Sequence, residues 1–210
     1  MKNKEVKTIY LWDAANTLFP EQWQHPEFAA YEDFLASKFP DGQHNNLDNE
    51  KLCAEAYQKE YYKVWPNKGF QELLKWTKNN YVVTTGTVEQ TAIRREKILA
   101  SHNFDINDYL SGVVSSFAYH DNPTENAKDE EFWLRMLKGK YDEGYQEIIY
   151  ADDKVQGVKD FYLAANKLNL PDLTVRGYHL KNDDSGLNQV GQYWEAGSLI
   201  DILEKEKSLR

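Results

Sequence analysis

From Thr8 onward, short apolar runs rich in β-branched residues alternate with segments whose apolar residues recur every three or four positions. That alternation of strand and helix periods confines the chain to an α/β fold. Strands are predicted at 8–12, 81–84, 112–116, 147–151 and 173–175, with helices at 90–100, 130–137 and 158–167 between the later ones. Strands joined through helices run parallel, and the helices then cover both faces of the sheet.

One block interrupts the alternation. Between about Phe19 and Val64 no strand is predicted. Phe28, Tyr31, Phe34 and Leu35 carry one helical stripe, 41–46 is a loop by composition, and Leu52, Ala56, Tyr57 and Tyr61 carry a second stripe over 47–64. The predicted organisation is a Rossmann-like three-layer core of residues 1–20 and 64–210, with a small α-helical cap inserted over 21–63. Pro66 suits a helix start, ahead of a stripe of Phe70, Leu73 and Leu74. The tail from Leu199 reads as a charged helix solvated over most of its surface, and Trp65, Trp76 and Trp133 read as packing residues.

Composition narrows the function classes. A net charge of −9 argues against a nucleic-acid groove, which needs clustered Lys and Arg, but leaves room for a small phosphorylated substrate held by one or two local cations. Cys53 is the single cysteine, so an intramolecular disulfide is excluded and a reducing compartment is expected. No apolar run approaches the roughly 18 residues of a membrane span, and residues 1–7 lack the apolar stretch of a signal peptide. The expectation is a cytoplasmic protein acting on a small molecule, without membrane or nucleic-acid partners. Tyr57, Tyr61, Tyr62 and Trp65 could pack against a second subunit, so a homodimer is a further expectation.

The chemistry gathers at strand ends. Asp13 follows the first strand, Thr84-Thr85-Gly86 the second, and Asp152-Asp153 the fourth, while Lys128 immediately precedes a predicted helix. In a parallel sheet the C-terminal strand ends share one edge, so these groups can converge in one crevice. A carboxylate can attack phosphorus or carbon, a hydroxyl and a lysine can hold the developing anion, and paired acids can hold Mg²⁺. The five histidines show no metal-ligand spacing, and Ser115 and Ser116 lack a nucleophile-elbow context.

In this order the segments resemble the four motifs of the haloacid dehalogenase (HAD) superfamily of hydrolases. Asp13 to Leu18 is similar to the first, Asp-x-Asp-x-Thr-Leu/Val, and Val82 to Gly86 to the second, an apolar run ending in Ser/Thr. Lys128 matches the third, 24 positions before the acidic pair, and Ala151 to Val158 resembles the fourth, acid-Asp-x-x-x-Gly-hydrophobic. Response-regulator receivers use a similar residue set but place the acidic pair first. The resemblance implies a hydrolase of phosphorylated or phosphonate metabolites, with Asp13 as nucleophile and Thr84 and Lys128 as catalytic partners. It further implies substrate contacts from Thr85, Gly86 and Lys128. The Mg²⁺ ligands would be Asp13, the Ala15 carbonyl and Asp153, supported by Asp152.

The chain departs from that pattern at Ala15, where phosphate-ester hydrolases of the family carry a second aspartate that protonates the leaving group. Losing such a group costs on the order of 10²–10⁴ in rate. Three readings accommodate the alanine. A chemistry that does not need the acid is one: a phosphonate hydrolase using Lys51, Lys59 or Lys63 as a Schiff base, or a metal-independent dehalogenase. A specialised phosphatase with a substitute acid is the second. A catalytically silent protein that binds a ligand or a protein partner is the third.

Overall fold

The computed structural model describes residues 6–122 and 124–210, so the predicted N-terminal boundary of the core lies outside the described residues. The sheet has seven strands: β1 (Thr8–Asp13), β4 (Asn80–Thr84), β5 (Leu110–Ser115), β6 (Glu147–Asp152), β7 (Thr174–Leu180), β8 (Leu187–Val190) and β9 (Tyr193–Ala196). Their spatial order is β5-β4-β1-β6-β7-β9-β8, and every pairing is parallel except that of β8 with β9. Successive connections run outward from β1 to one side and from β6 to the other, which makes the β1–β6 boundary the topological switch point of the sheet.

β1 is buried along its whole length, and its pleat divides the core. Ile9 and Leu11 join Phe132, Trp133 and Met136 of α5 (Glu130–Asp142) and Val158 and Phe161 of α6 (Val155–Leu168) on one face. Tyr10 and Trp12 face Leu73 and Leu74 of α3 (Phe70–Trp76), Ile98 of α4 (Val88–His102), and Leu199, Ile202 and Leu203 of α7 (Leu199–Ser208) on the other. This is the three-layer α/β architecture that the alternation predicts.

Several predicted elements are corrected. The block between β1 and α3 does contain strands: β2 (Glu21–Trp23) pairs antiparallel with β3 (Tyr62–Val64) as a separate two-stranded sheet. Its helices are α1 (Tyr31–Lys38) and α2 (Asn46–Gln58), both shorter than the stripes suggest. Strands of three residues are too short for alternation to register in a sequence. Trp23 is the centre of this small unit, with Tyr31, Phe34, Tyr61 and Tyr62 all within 6.0 Å between ring centroids. α3 starts at Phe70 rather than at Pro66, on a left-handed Gly69. Trp133 is fully buried and Trp76 packs on the core, whereas Trp65 lies exposed beyond β3.

The C-terminal region departs furthest from expectation. β8 and β9 form an unpredicted hairpin, because β8 is a mostly exposed edge strand with no apolar alternation to betray it. α7 is anchored rather than solvated. Its Glu206 is fully buried and takes a two-pronged contact from Arg176 of β7, at 2.8 Å from Nε and 2.7 Å from Nη2, plus the Tyr178 hydroxyl at 2.6 Å. Arg176 also donates to Glu147 of β6 at 2.7 Å. Removing one partner of a buried pair leaves an uncompensated charge, which costs more than the pair itself contributes. Arg176→Met should therefore destabilise the fold by about 3–5 kcal/mol, read as a fall in the urea midpoint at unchanged slope.

Candidate active site

The switch point brings together the groups that the sequence places at strand ends. Asp13 is the last residue of β1 and Asp152 the last of β6, and both are buried. Lys128 enters from the loop before α5, whose first turn is capped by the neighbouring Asp129 side chain. Its Nζ bridges the two strand ends, at 2.5 Å from Asp13 Oδ1 and 2.7 Å from Asp152 Oδ2. Asp13, Asp152 and Asp153 each present a carboxylate oxygen within 4.8 Å of the others.

Asp152 is fixed on both sides. Its Oδ2 accepts from Lys128 and from the Tyr150 hydroxyl, and its Oδ1 accepts from the Lys154 amide at 2.8 Å. Gly157, in the first turn of α6, permits this: a Cβ there would stand 2.5 Å from Asp152 Oδ2. The glycine of the fourth motif is thus a close-approach glycine. It lets a helix start press against a carboxylate with three of its roughly four acceptor sites taken, which leaves Asp153 as the freer ligand.

Thr84 ends β4. Its Oγ1 accepts from the Gly86 amide at 2.9 Å, so the turn uses the oxygen lone pair and leaves the O–H to donate into the crevice. Thr85 and Gly86 continue that wall, held by the Asn126 amide donating to the Thr85 carbonyl at 3.0 Å and the Ser115 hydroxyl donating to the Gly86 carbonyl at 2.9 Å. Ala15 lies in the turn after β1, where Asn16 takes the left-handed backbone (φ 57°) that asparagine tolerates. The hydrogen bonds closing this turn run to the Ala14 and Phe19 carbonyls, and none runs to that of Ala15.

Of the site residues expected from sequence, Asp13, Ala15, Thr84, Thr85, Gly86, Lys128 and Asp153 line one cavity of about 210 Å³, and Asp152 does not. Its far wall comes from outside the four motifs: Glu21, Glu50, Cys53 and Tyr57 from the inserted block, and Gln90 and Arg94 from α4. Sequence reasoning does not reach these residues, and no local motif marks them, since Arg94 finds its partner Glu21 only across 73 positions. Lys51, Lys59 and Lys63 do not line the cavity, so the Schiff-base lysines considered from sequence are not brought to Asp13; Lys59 is exposed and paired with Glu55. His25 stacks within the aromatic unit around Trp23 instead of facing the crevice. A larger cavity of about 420 Å³ lies at the opposite strand ends, beside Thr8, Trp76 and Arg210, away from the carboxylates.

The electrostatics are those of a site short of positive charge. Burial pushes the Asp13 carboxyl up to about 7, against the pull of the Lys128 ammonium and with help from the Asp152 charge. Burial, then the charge of Asp152, raises Asp153 to about 6. For Asp152 the burial penalty is outweighed by Lys128, Tyr150 and the Lys154 amide, and its pKa is lowered. Lys128 is held up at about 12 because Asp13 and Asp152 overcome its own burial. With all three carboxylates ionised, their charge exceeds what Lys128 and the neighbouring Lys154 supply, a deficit that a divalent cation with hard oxygen preference would fill.

Linkage gives the sign of the resulting pH dependence. With Asp13 and Asp153 raised, the metal-free native state retains protons that the unfolded chain releases near pH 4; the associated stability is complete below that point and is lost as pH climbs through 6 to 7. The melting temperature of the metal-free protein should fall between about pH 5 and pH 8, and Asp13→Asn should flatten that slope. A melting temperature independent of pH over this range would contradict the assignment.

No family model matches the chain, and no curated protein matches it in sequence. Solved structures do match. UTR4 from Saccharomyces cerevisiae is similar at a TM-score of 0.54 and 13% identity, over 90% of this chain and 97% of that one. A HAD-superfamily hydrolase from Ehrlichia chaffeensis gives 0.51 and 14% over 99% of both chains. A HAD family enzyme from Bacteroides thetaiotaomicron gives 0.54 and 13% over 86% and 97%. The wild-type form of the last, in complex with magnesium and inorganic phosphate, gives 0.50 and 14% over 86% and 98%. Such identities speak for architecture alone, and the architecture is clear: this chain has the fold of the haloacid dehalogenase superfamily.

Proposed function

We propose that the protein is a HAD-like hydrolase that transfers the phosphoryl group of a small phosphorylated or phosphonate metabolite through Asp13. The carrying observation is the Lys128 ammonium bridging the ends of the two central strands, Asp13 on one side and Asp152 on the other, at the floor of a small cavity. The magnesium and phosphate held by the Bacteroides thetaiotaomicron enzyme of the same fold support the choice of group and metal. So do the motifs, whose order and spacing resemble the superfamily's.

In this reading, with a phosphate ester, an Asp13 carboxylate oxygen attacks phosphorus and forms an O–P bond while the bond to the leaving oxygen breaks, that oxygen taking its proton from water because Ala15 offers none. Water then attacks the same phosphorus, the Asp13 O–P bond breaks to return the carboxylate, and the proton of the attacking water passes to the released phosphate. Lys128 and the Thr84 O–H take the negative charge that builds on the phosphoryl oxygens, a preorganised arrangement that needs no rearrangement at the moment of reaction. Thr85 and Gly86 hold the phosphoryl group against the β4 turn. Asp13, Asp153 and the Ala15 carbonyl would hold Mg²⁺, with Asp152 positioning Lys128 and the turn into α6. The ion, when bound, supplies positive charge to the phosphoryl oxygens and lowers the fraction of protonated Asp13. The inserted block, residues 21–63, acts as a cap whose Glu21, Glu50 and Tyr57 shape the substrate end of the cavity and exclude water.

Ala15 favours a second reading, a protein that binds a phosphorylated ligand in this crevice without turning it over. Hydrolysis of an aryl phosphate discriminates the two. Under the first reading turnover requires Mg²⁺, and Asp13→Asn reduces it by roughly 10³-fold or more, as expected for loss of a nucleophile in a covalent mechanism. Equal rates in Asp13→Asn and the parent would refute the nucleophile; no turnover in either, with Mg²⁺ bound, would turn the reading to a phosphonate substrate or to the silent protein. Restoring an acid should matter in proportion to the leaving group. Ala15→Asp is expected to raise turnover of an alkyl phosphate by about 10²-fold and that of an aryl phosphate far less, since the aryl oxyanion leaves without a proton.

A further inference from the structure

Arg94 is an arginine of the core helix α4 that is buried at the boundary with the inserted block, 4% exposed. Its Nε donates to Glu21 Oε1 at 2.6 Å and its Nη2 to the Tyr57 hydroxyl at 2.6 Å, while Tyr57 in turn donates to the other Glu21 oxygen. Two of the three guanidinium nitrogens are thereby fixed. The third, Nη1, is buried and has no hydrogen-bond partner among the described residues. A buried, unpaired N–H of a charged group is costly unless something else satisfies it. Arg94 lines the same cavity as Asp13, Lys128 and Thr84; Nη1 itself is covered, so a bound molecule becomes its partner by displacing the side chains over it.

The charges on this wall determine what the partner can be. Glu21 already compensates Arg94, and Glu50, also on the cavity wall, adds a second acid whose protonation burial favours. Glu50 is held by the Asn126 amide at 3.3 Å, the same amide that fixes the Thr85 carbonyl at the phosphoryl end. No net positive charge is left over for a second anionic group. A hydroxyl, by contrast, can accept from Nη1 and donate to Glu50, and it needs no counter-charge. The cavity, about 210 Å³ against roughly 300–1,000 Å³ for drug-sized ligands, limits the organic part to a few carbons.

Resting on the phosphoryl-transfer reading above, we propose that Arg94, held by Glu21 and Tyr57 and opposed by Glu50, forms a second subsite that recognises a hydroxyl of the substrate. The molecule taken is then a small phosphorylated polyol and not a phosphorylated carboxylate. Arg94 is a specificity residue in this assignment; it sits at the organic end and takes no part in the bond changes at phosphorus.

The test is calorimetric titration of the Mg²⁺-loaded protein with three probes that lack a phosphate-ester bond: methylphosphonate, 2,3-dihydroxypropylphosphonate and phosphonoacetate. The dihydroxypropyl compound should bind about tenfold or more tighter than methylphosphonate, the value of one hydrogen bond to a charged group, and phosphonoacetate no tighter than methylphosphonate. Arg94→Lys keeps the charge but loses the fork, and should erase the preference. Glu21→Gln leaves Arg94 uncompensated and should turn the preference toward phosphonoacetate, a reversal that a merely structural role would not produce. Equal affinity of the parent for methyl and dihydroxypropyl probes would overturn the subsite, and a parent preference for phosphonoacetate would overturn the hydroxyl assignment. Both outcomes are read on the parent protein, so neither depends on a variant folding. Failure of methylphosphonate and inorganic phosphate alike to bind would overturn the phosphoryl reading itself, and the subsite with it.

Discussion

The ammonium of Lys128 between Asp13 and Asp152 is the contact on which the rest of the site depends. β1 and β6 pair along their length through backbone hydrogen bonds, which would drive two carboxylates together at their C-terminal ends whatever the cost. In a low-dielectric setting that proximity is tolerable only with a counter-charge at hydrogen-bond distance. Lys128 supplies one charge, and α5, N-capped by the adjacent Asp129, fixes the loop that delivers it. The remaining deficit makes the crevice receptive to a cation and, with one bound, to an anion. Sheet pairing, loop capping and ligand chemistry are here one chain of cause and effect.

The insertion matters for a different reason. Its strands β2 and β3 are three residues each, and two such strands are too few to be stable alone. It holds together through an aromatic cluster around Trp23 and docks on the core through the Arg94–Glu21–Tyr57 contact. The rings that could have served a subunit contact are largely used inside the molecule: Tyr57 is fully buried, Tyr61 and Tyr62 pack on Trp23, and Trp65 stays exposed. Homodimer formation therefore finds no support in this aromatic set.

How much of the fold is legible in the sequence follows from how far each interaction reaches along the chain. Five of the six parallel strands are legible because β-branched runs such as Tyr81 to Thr84 report their own burial. The placement of Asp13, Thr84, Lys128 and Asp152 around one edge follows from parallel topology. The β8–β9 hairpin is hidden because β8 is mostly exposed, and the buried face of α7 because Glu206 looks like any solvated acid until Arg176 is seen beside it. Arg94 is illegible for the same reason: amphipathic helices are full of arginines, and only tertiary structure sets Glu21 and Tyr57 against this one. Asn16 and Gly157, by contrast, signal locally, since a left-handed turn and a close approach each demand a particular residue type.

The Arg94 contact has a dynamic consequence. It is the ion pair that ties the inserted block to α4. Swinging the block away from the sheet strands a buried guanidinium and its carboxylate, at a cost of about 3–5 kcal/mol unless water enters. Such an excursion would occupy the molecule for only about one part in 10² to 10⁴ of the time. Ligand exchange that required full opening would therefore be a rare event.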